Sequence, residues 1–252
     1  MISKNQIKYI RQLELKKYRK REGLFVAEGP KVVGDLLRRY TPKAVFATKE
    51  WIPSTEVSPS CLTLVTEDEL QRISFLQHPQ QVLALFRLPD ISAEAISPSS
   101  PLTSHLSLAL DGVQDPGNLG TIIRIADWFG IDTIYCSEDT ADAYNPKTVQ
   151  ATMGSIARVH ISYCDLAKLF ETLPSDYPIY GTLLDGEDIY QQPLTKEGII
   201  VMGNEGNGIS EAIRQKVNHK LLIPCFRQGD TAESLNVAIA TAITCSEFRR
   251  RG

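Results

Sequence analysis

The feature that most constrains this chain is an apolar run that ends in a glycine-rich loop and passes directly into a helical pattern. The apolar run covers residues 106–110, and the loop contains Gly112 and Gly117. Arg124 falls on the second turn of the helix. A strand, a tight turn and a helix in this order are typical of α/β proteins. Such a loop leaves backbone N–H groups beside the positive end of the helix, so the sequence predicts an anion-binding position there.

Two later segments repeat this pattern. An apolar run at 199–203 leads into glycines on either side of Glu205. Another run at 221–223 precedes a loop that places Ser234 and Asn236 at the start of an apolar helix. Taken singly, each segment also fits a tight turn, a helix cap or a solvated carboxylate. Because α/β sheets bind ligands at the carboxyl ends of their strands, the three segments together predict one active site.

Strand and helix patterns alternate along the 252 residues, which predicts an α/β fold in two domains. A small α/β domain is expected over 1–88, beginning with one polar helix at 3–22. Residues 89–104 are rich in Pro and Ser and predict a linker. Residues 105–252 are expected to form a mostly parallel sheet with helices on both faces. The strands predicted in this second domain are 106–110, 132–136, 178–183, 199–203 and 220–223, and the helices are 118–129, 145–153, 165–172, 210–217 and 234–249.

The composition disfavours several classes of protein. No apolar run is long enough to cross a bilayer, and the N-terminal residues lack the apolar segment of a secretory signal. The five cysteines are scattered and never form a C-x-x-C pair, which is typical of free thiols in a reducing cytoplasm. The four histidines lack the spacing of metal ligands, so no metal site is expected.

Charge is distributed unevenly along the chain. The net charge is −3, yet residues 1–22 contain eight basic and only two acidic side chains. A cationic arm on an acidic body can attach to phosphates, and a solvated helix face is the alternative interpretation. The candidate nucleic-acid contacts are Lys16, Lys17, Arg19, Lys20 and Arg21.

The helix predicted at 118–129 is apolar on two sides. Ile122 and Ile123 have the spacing of core residues, whereas Ile125 and Trp128 fall on another side. A helix with two apolar faces is buried on both, so a subunit interface is expected here.

Familiar nucleotide-binding motifs are absent. The chain has no G-x-x-x-x-G-K-[ST] phosphate loop, and Gly203-x-x-Gly206-x-Gly208 reverses the glycine order of dinucleotide folds. It also lacks the G-x-S-x-G elbow of many hydrolases. A nicotinamide oxidoreductase is therefore disfavoured.

The three segments resemble the motifs of the SpoU (TrmH-like) RNA 2′-O-ribose methyltransferases. The resemblance is carried by Asn118-x-Gly120-x-x-x-Arg124, by residues 203–208, and by Ile223-Pro224 together with residues 233–237. It covers nearly all of residues 105–252. Residues 1–88 are similar to that family's substrate-binding domain, which resembles ribosomal protein L30e, mainly through residues 25–29 after a basic helix.

The resemblance implies a SPOUT-type α/β domain tied in a trefoil knot, and a homodimer formed through that domain. It also implies S-adenosyl-L-methionine as the cofactor and transfer of a methyl group to a ribose 2′-hydroxyl of RNA, with ribosomal RNA as the expected substrate. The implied catalytic residues are Asn118, Arg124, Glu205, Ser234 and Asn236. The implied cofactor-binding residues are Thr182, Gly203, Asn204, Gly206, Ile223, Pro224 and Leu235.

Some alternatives stay open at the level of sequence. The substrate could instead be tRNA, or the chain could be a non-catalytic RNA-binding or ribosome-assembly protein on the same scaffold. Arg124 is an uncertain proton acceptor because a guanidinium stays protonated in proteins. The loop at 225–232 is longer than in many relatives, so its effect on the cofactor pocket is open.

Overall fold

The computed structural model describes residues 2–51, 53, 56–89, 105–229 and 232–251. Spatial contacts divide the chain into two units, Met1–Asp90 with Asp142–Ala157, and Ile91–Ala141 with Arg158–Gly252. Apart from Pro89, the predicted linker at 89–104 lies outside the described residues. In chain order the elements are α1 (Lys4–Gln12), α2 (Lys16–Glu22), β1 (Leu24–Glu28), α3 (Pro30–Leu37), β2 (Pro42–Ala47), β3 (Leu62–Leu64), α4 (Glu67–Ile73), β4 (Val82–Arg87), β5 (Leu106–Asp111), α5 (Pro116–Trp128), β6 (Thr133–Cys136), α6 (Pro146–Ala151), β7 (His160–Tyr163), α7 (Leu166–Glu171), β8 (Ile179–Asp188), β9 (Gly198–Gly203), α8 (Glu211–Arg214), β10 (His219–Leu222) and α9 (Val237–Arg251).

The first unit is built on a four-stranded sheet in the order β1-β4-β2-β3. Strand β4 runs antiparallel to both of its neighbours, and β3 runs parallel to β2. Leu13, Leu24 and Leu83 belong to the apolar core of this unit. The predicted small α/β architecture is therefore present.

The single helix predicted at 3–22 is wrong, because the chain forms α1 and α2 with a turn between them. The turn is stabilised by Arg19, whose guanidinium donates to the carbonyl oxygens of Leu13 at 2.7 Å and Glu14 at 2.5 Å. These carbonyls would otherwise accept from backbone N–H groups of a continuous helix. Burial of Leu13 in the core fixes the position of the turn.

The segment 142–157 packs with the first unit although it follows β6 of the second. Asp142 forms an ion pair with Arg19, with 2.6 Å between Nη2 and Oδ2. The ring of Tyr144 lies 5.0 Å from that of Phe25, measured between centroids. The predicted assignment of all of residues 105–252 to the second domain therefore differs from the observed units. The segment 142–157 supplies helix α6 and core contacts to the first unit.

The second unit contains a six-stranded, fully parallel sheet in the order β10-β8-β9-β5-β6-β7. The central strands β5 and β9 are almost entirely buried, as expected of apolar runs in a parallel sheet covered on both faces. The sequence predicted five of the six strands. It missed β7, an edge strand of only four residues whose His and Ser weaken the apolar pattern.

Three helices of the second unit are shorter than predicted. Helix α7 covers 166–171 rather than 165–172, α8 spans only four residues, and α9 begins at Val237 rather than at 234. Helix α9 packs against α5, and Arg249 Nε donates to the carbonyl of Phe129 at 2.7 Å, just past the end of α5. No helix within the described ranges is long and apolar enough to span a membrane.

Candidate active site

Strands β5 and β9 are neighbours in the sheet and end at the same level, since Asp111 pairs with Gly203. The loops that follow them are therefore adjacent. Gly203 has to lack a side chain, because a Cβ there would lie 2.2 Å from the carbonyl carbon of Gly208. We call residues 112–118, 203–210 and 223–236 the motif loops, the third of these being described except at 230 and 231.

The side chain of Asn204 joins the first two motif loops. Its Nδ2 donates to the carbonyl of Gly112 at 2.7 Å, and its Oδ1 accepts from the backbone N–H groups of Gly206 at 2.9 Å and Asn207 at 3.0 Å. Gly112 is in the left-handed region at φ +74°, which favours glycine. Because its polar atoms are used within the protein, the Asn204 side chain shapes the loop, and the predicted contact of Asn204 with the cofactor stays a prediction for its backbone.

The carboxylate of Glu205 lies at the N-terminal end of α5. It accepts hydrogen bonds from the backbone N–H groups of Gln114 at 3.2 Å and Asp115 at 3.3 Å, and from Nδ2 of Asn118 at 2.9 Å. The positive end of a helix stabilises such a charge. The anion-binding position predicted from the first loop thus exists, and the anion it holds is a side chain of the same protein.

Two opposing effects act on the pKa of Glu205. Desolvation raises it, but the hydrogen bonds from Asn118 and from backbone N–H groups together lower it further, so that the pKa falls below its ordinary value. Glu205 is therefore an anion at neutral pH, suited to orienting groups and unsuited to donating a proton.

Asn118 links Glu205 to the third motif loop. While its Nδ2 donates to Glu205, its Oδ1 accepts from Nδ2 of Asn236 at 3.0 Å. Oδ1 of Asn236 in turn accepts from the backbone N–H groups of Ala238 at 3.0 Å and Ile239 at 3.3 Å, which makes Asn236 the cap of α9. One chain of hydrogen bonds therefore connects all three motif loops, as the grouping of the three segments predicted.

Arg124 and Ser234 are not part of this network. Both side chains are exposed, and neither has a polar partner among the residues that the structure describes. Arg124 lies on α5 beyond Asn118, in the same helix that holds the network. An exposed guanidinium on the helix that also carries Asn118 is available to a ligand from outside the chain.

The other residues predicted to contact a cofactor follow the ends of β9 and β10 or lie in β8. Thr182 Oγ1 donates to the carbonyl of Val201 at 3.2 Å. Ile223 and Pro224 are half-buried, Gly206 is exposed, and the side chain of Leu235 is 50% exposed. Leu184, which the sequence analysis did not single out, is 74% exposed in β8. Strand β8 lies between β9 and β10, so these residues come from adjoining strands.

Asp111 is a site residue that sequence reasoning missed. It is buried at the end of β5, and its Oδ2 accepts from the backbone N–H of Ser210 at 2.7 Å. It thereby fixes the far end of the loop that holds Glu205. The available signal was a carboxylate at the end of an otherwise apolar strand, directly before Gly112.

The basic arm, residues 4–22 of the first unit, holds the cations proposed to contact phosphates. Lys16, Lys17, Lys20 and Arg21 are exposed, and the last of these forms an ion pair with Glu22 at 2.8 Å. Arg19 is only 2% exposed and is paired with Asp142, so its prediction as an RNA contact is wrong. A buried, paired guanidinium cannot reach a phosphate without breaking the turn that it stabilises.

The geometry can now be compared with known proteins. The SpoU rRNA Methylase family model matches residues 105–246, and the MRM3-like substrate binding domain model matches residues 4–84. This chain belongs to the SpoU rRNA methylase family. No group of three or more potential metal-ligating side chains occurs within the described part of this family member.

Several relatives match the SpoU chain over its whole length. The 23S rRNA (guanosine(2553)-2′-O)-methyltransferase RlmP of Bacillus subtilis is 33% identical over 98% of this chain and 97% of its own length. A solved structure of a TrmH-family RNA methyltransferase from Porphyromonas gingivalis has a TM-score of 0.87 and 42% identity, covering 100% of both chains. An AdoMet-bound rRNA methyltransferase from Sinorhizobium meliloti has a TM-score of 0.82 and 29% identity, covering 99% of this chain and 97% of that one. The α/β fold with its parallel sheet is thus the one found in SpoU enzymes.

Proposed function

We propose that this protein transfers a methyl group from S-adenosyl-L-methionine to a ribose 2′-hydroxyl of ribosomal RNA. The observation that carries the proposal is the chain of hydrogen bonds from Glu205 through Asn118 to Asn236, which joins the three SpoU motifs at one edge of the sheet. RlmP of Bacillus subtilis, a 23S rRNA 2′-O-methyltransferase that matches this chain over 97% of its own length, points to the same chemistry.

The residues at the carboxyl edge fit this cofactor. Leu184 and Leu235 present exposed apolar surface suited to an adenine, and the anionic Glu205 is compatible with a positively charged sulfonium. We assign the cofactor to Thr182, Gly203, Gly206, Ile223, Pro224 and Leu235, and to the backbone of Asn204. The sulfonium supplies an activated methyl group, so the protein has to supply alignment and charge stabilisation. Alignment alone contributes up to roughly 7–11 kcal/mol in favourable cases.

Arg124 is assigned to the substrate. Its guanidinium binds the phosphate next to the target ribose and stabilises the charge that grows on the 2′-oxygen. In the transfer, the 2′-oxygen would bond to the methyl carbon as the bond from that carbon to sulfur breaks, the electron pair would go to sulfur to give S-adenosylhomocysteine, and the hydroxyl proton would leave to solvent. Asn118, held by Glu205 and Asn236, orients the ribose, and the exposed Ser234 hydroxyl contacts substrate or cofactor from the third loop.

The basic arm is assigned to RNA binding through Lys16, Lys17, Lys20 and Arg21, whose side chains are exposed. Lys17 and Arg21 also lie over the ring of Tyr18, at 4.9 Å and 4.7 Å from its centroid. This arrangement holds two cations on one face of α2. Such a face neutralises phosphates without reading sequence.

A homodimer and a trefoil knot are part of the same proposal. Trp128 is 85% exposed at the end of α5 and Ile239 is 53% exposed on α9, and these two helices pack together. A second copy covering this face would bury both side chains. We expect the knot from family membership, and we expect a cytoplasmic protein from its scattered free cysteines.

Methyl transfer to an in vitro transcript of 23S rRNA, with radiolabelled S-adenosyl-L-methionine, tests the function. The product should carry 2′-O-methylation, detected as resistance of one linkage to alkaline cleavage. A tRNA transcript serves as the second substrate and separates the two RNA classes. Cofactor binding without transfer to either RNA would instead favour a non-catalytic role on the same scaffold.

A further inference from the structure

Phe226 lies in the loop that connects β10 to α9, and its side chain is 85% exposed. The chain has eight phenylalanines, all at described positions, and the other seven are buried or half-buried. A single exposed apolar side chain is ordinary on a protein surface. What makes this ring informative is its position in the chain.

Both ends of the loop belong to the candidate active site. It leaves the carboxyl end of β10 through Ile223 and Pro224, and it finishes at Asn236, which donates to Asn118 at 3.0 Å. Gly229 is in the left-handed region at φ +81°, which favours glycine. An aromatic side chain has therefore been placed on the edge of the sheet where ligands bind in parallel α/β folds.

The neighbouring residue indicates what the ring contacts. Arg227, the next residue in the chain, is also exposed, so the loop presents one cation and one aromatic side chain to solvent. RNA-binding proteins stack unpaired bases on such rings and pair the adjacent phosphates with guanidinium groups. The cofactor carries no phosphate, and its one carboxylate does not call for an aromatic ring beside the cation, so cofactor affinity is measured separately below. The exposed apolar side chains assigned above to a second protomer are Trp128 on α5 and Ile239 on α9.

We propose that Phe226 stacks on an unpaired base of the RNA substrate while Arg227 pairs with a neighbouring phosphate. The inference rests on the proposed function and deepens it, because it requires the target ribose to lie in or beside a single-stranded segment. Stacking tolerates any base, so the loop selects unpaired structure rather than sequence.

Four substitutions at one position test the stacking contact. Methyl transfer to the 23S rRNA transcript and its binding, followed by fluorescence anisotropy, are measured for F226A, F226L, F226Y and F226W. F226A should weaken RNA binding and raise KM for RNA about ten- to hundredfold. F226L keeps apolar area but has no π-face, so it should lose nearly as much. The aromatic replacements should stay within about threefold of wild type.

Arg227 gives an independent measurement. R227Q should make the dependence of log affinity on log salt shallower by about one unit or slightly less, as expected for loss of one phosphate contact. R227K should retain the wild-type slope. Calorimetric affinity for S-adenosyl-L-methionine and the sedimentation coefficient should be unchanged in all of these variants.

The outcomes separate the possible occupants. RNA affinity of F226L or F226A equal to that of wild type overturns the stacking proposal. Weakened cofactor binding with unchanged RNA affinity would assign Phe226 to the cofactor pocket, and a change in sedimentation would assign it to a subunit contact. If the wild-type protein methylates no rRNA transcript, the proposed function fails, whereas the binding comparison of F226A with F226Y still decides the stacking contact.

Discussion

The motif loops of the second unit and the basic arm of the first use polar side chains differently. In the motif loops the polar atoms bond to one another, as Glu205, Asn118 and Asn236 do. In the basic arm most cations point to solvent, and Arg19 alone among the five candidate contacts is buried. In the motif loops, residue types at fixed spacing after the strands therefore predicted which side chains meet. In the basic arm, the number of charged residues predicted only that the surface is positive.

The largest expected effect is at Arg124, an exposed cation of the catalytic unit that has no polar partner in the described chain. Arg124→Ala should reduce methyl transfer about 10²- to 10³-fold, in the range found when a group that stabilises transition-state charge is removed. The melting temperature and the calorimetric affinity for the cofactor should be unchanged, because the side chain is exposed.

Arg124→Lys is the matched control, since it keeps the charge and loses the planar fork. It should recover little activity if Arg124 holds a phosphate in bidentate fashion. Full turnover by the alanine variant would remove Arg124 from the mechanism. Arg124 would then resemble the cations of the basic arm, which contribute only positive charge to the surface.

The next effect concerns stability in the first unit. Arg19→Ala should lower the free energy of unfolding by about 3 kcal/mol, because it leaves Asp142 without its ion pair and two turn carbonyls without a donor. Lys20→Ala, one residue along and exposed, should change it by less than about 0.5 kcal/mol. Thermal and urea unfolding measure both. Equal destabilisation by the two variants would contradict the distinction between buried and exposed cations.

Most of the fold could be predicted from the sequence because long apolar runs between glycines leave few alternatives. Strands β5 and β9 are fully or almost fully buried, and their patterns gave the correct parallel arrangement. Strand β7 was missed because four residues at a sheet edge carry little apolar signal. The turn between α1 and α2 could not be foreseen, since it depends on a contact of Arg19 with Asp142, which lies 123 residues away in the chain.

The candidate site shows the same division. The meeting of Glu205, Asn118 and Asn236 followed from strand ends and motif spacing. The internal use of the Asn204 side chain and the role of Asp111 did not, because both depend on the backbone path of the loops rather than on residue type. The sequence thus predicted which motif residues come together. The structure was needed to separate the side chains that bond within the protein from those that are exposed.

A smaller effect on stability tests whether the motif loops depend on the charge of Glu205. In Glu205→Gln the side-chain N–H₂ would replace one carboxylate oxygen. It would then face another donor, either the backbone N–H of Gln114 or the N–H groups of Asp115 and Asn118, and at least one hydrogen bond would become a repulsion. At pH 7 the substitution should lower the free energy of unfolding by about 1 kcal/mol, a small effect because the carboxylate is exposed. Denaturant unfolding measures it, with Glu138→Gln, an exposed substitution on another loop, as the control.

The pH dependence of this difference has a definite sign. The folded state lowers the pKa of Glu205, so its contribution to stability is full above the ordinary value of 4.5 and is lost as pH falls through the lower folded pKa. The gap between wild type and Glu205→Gln should therefore close on acidification. A gap that stays constant down to pH 3 would show that the hydrogen bonds do not depend on the carboxylate charge.

The smallest effect is expected from a single exposed cation of the basic arm. Lys20→Gln should weaken binding to the 23S rRNA transcript only a few-fold, and the slope of log affinity against log salt should become shallower by about 0.7–0.9. Its melting temperature should stay that of wild type, which is the reverse of the pattern expected for Arg19→Ala. Every phosphate neutralised by a side chain releases counterions, whatever the sequence of the RNA. If neither Lys20→Gln nor Lys17→Gln changes the slope of log affinity against log salt, the RNA therefore does not bind at α2.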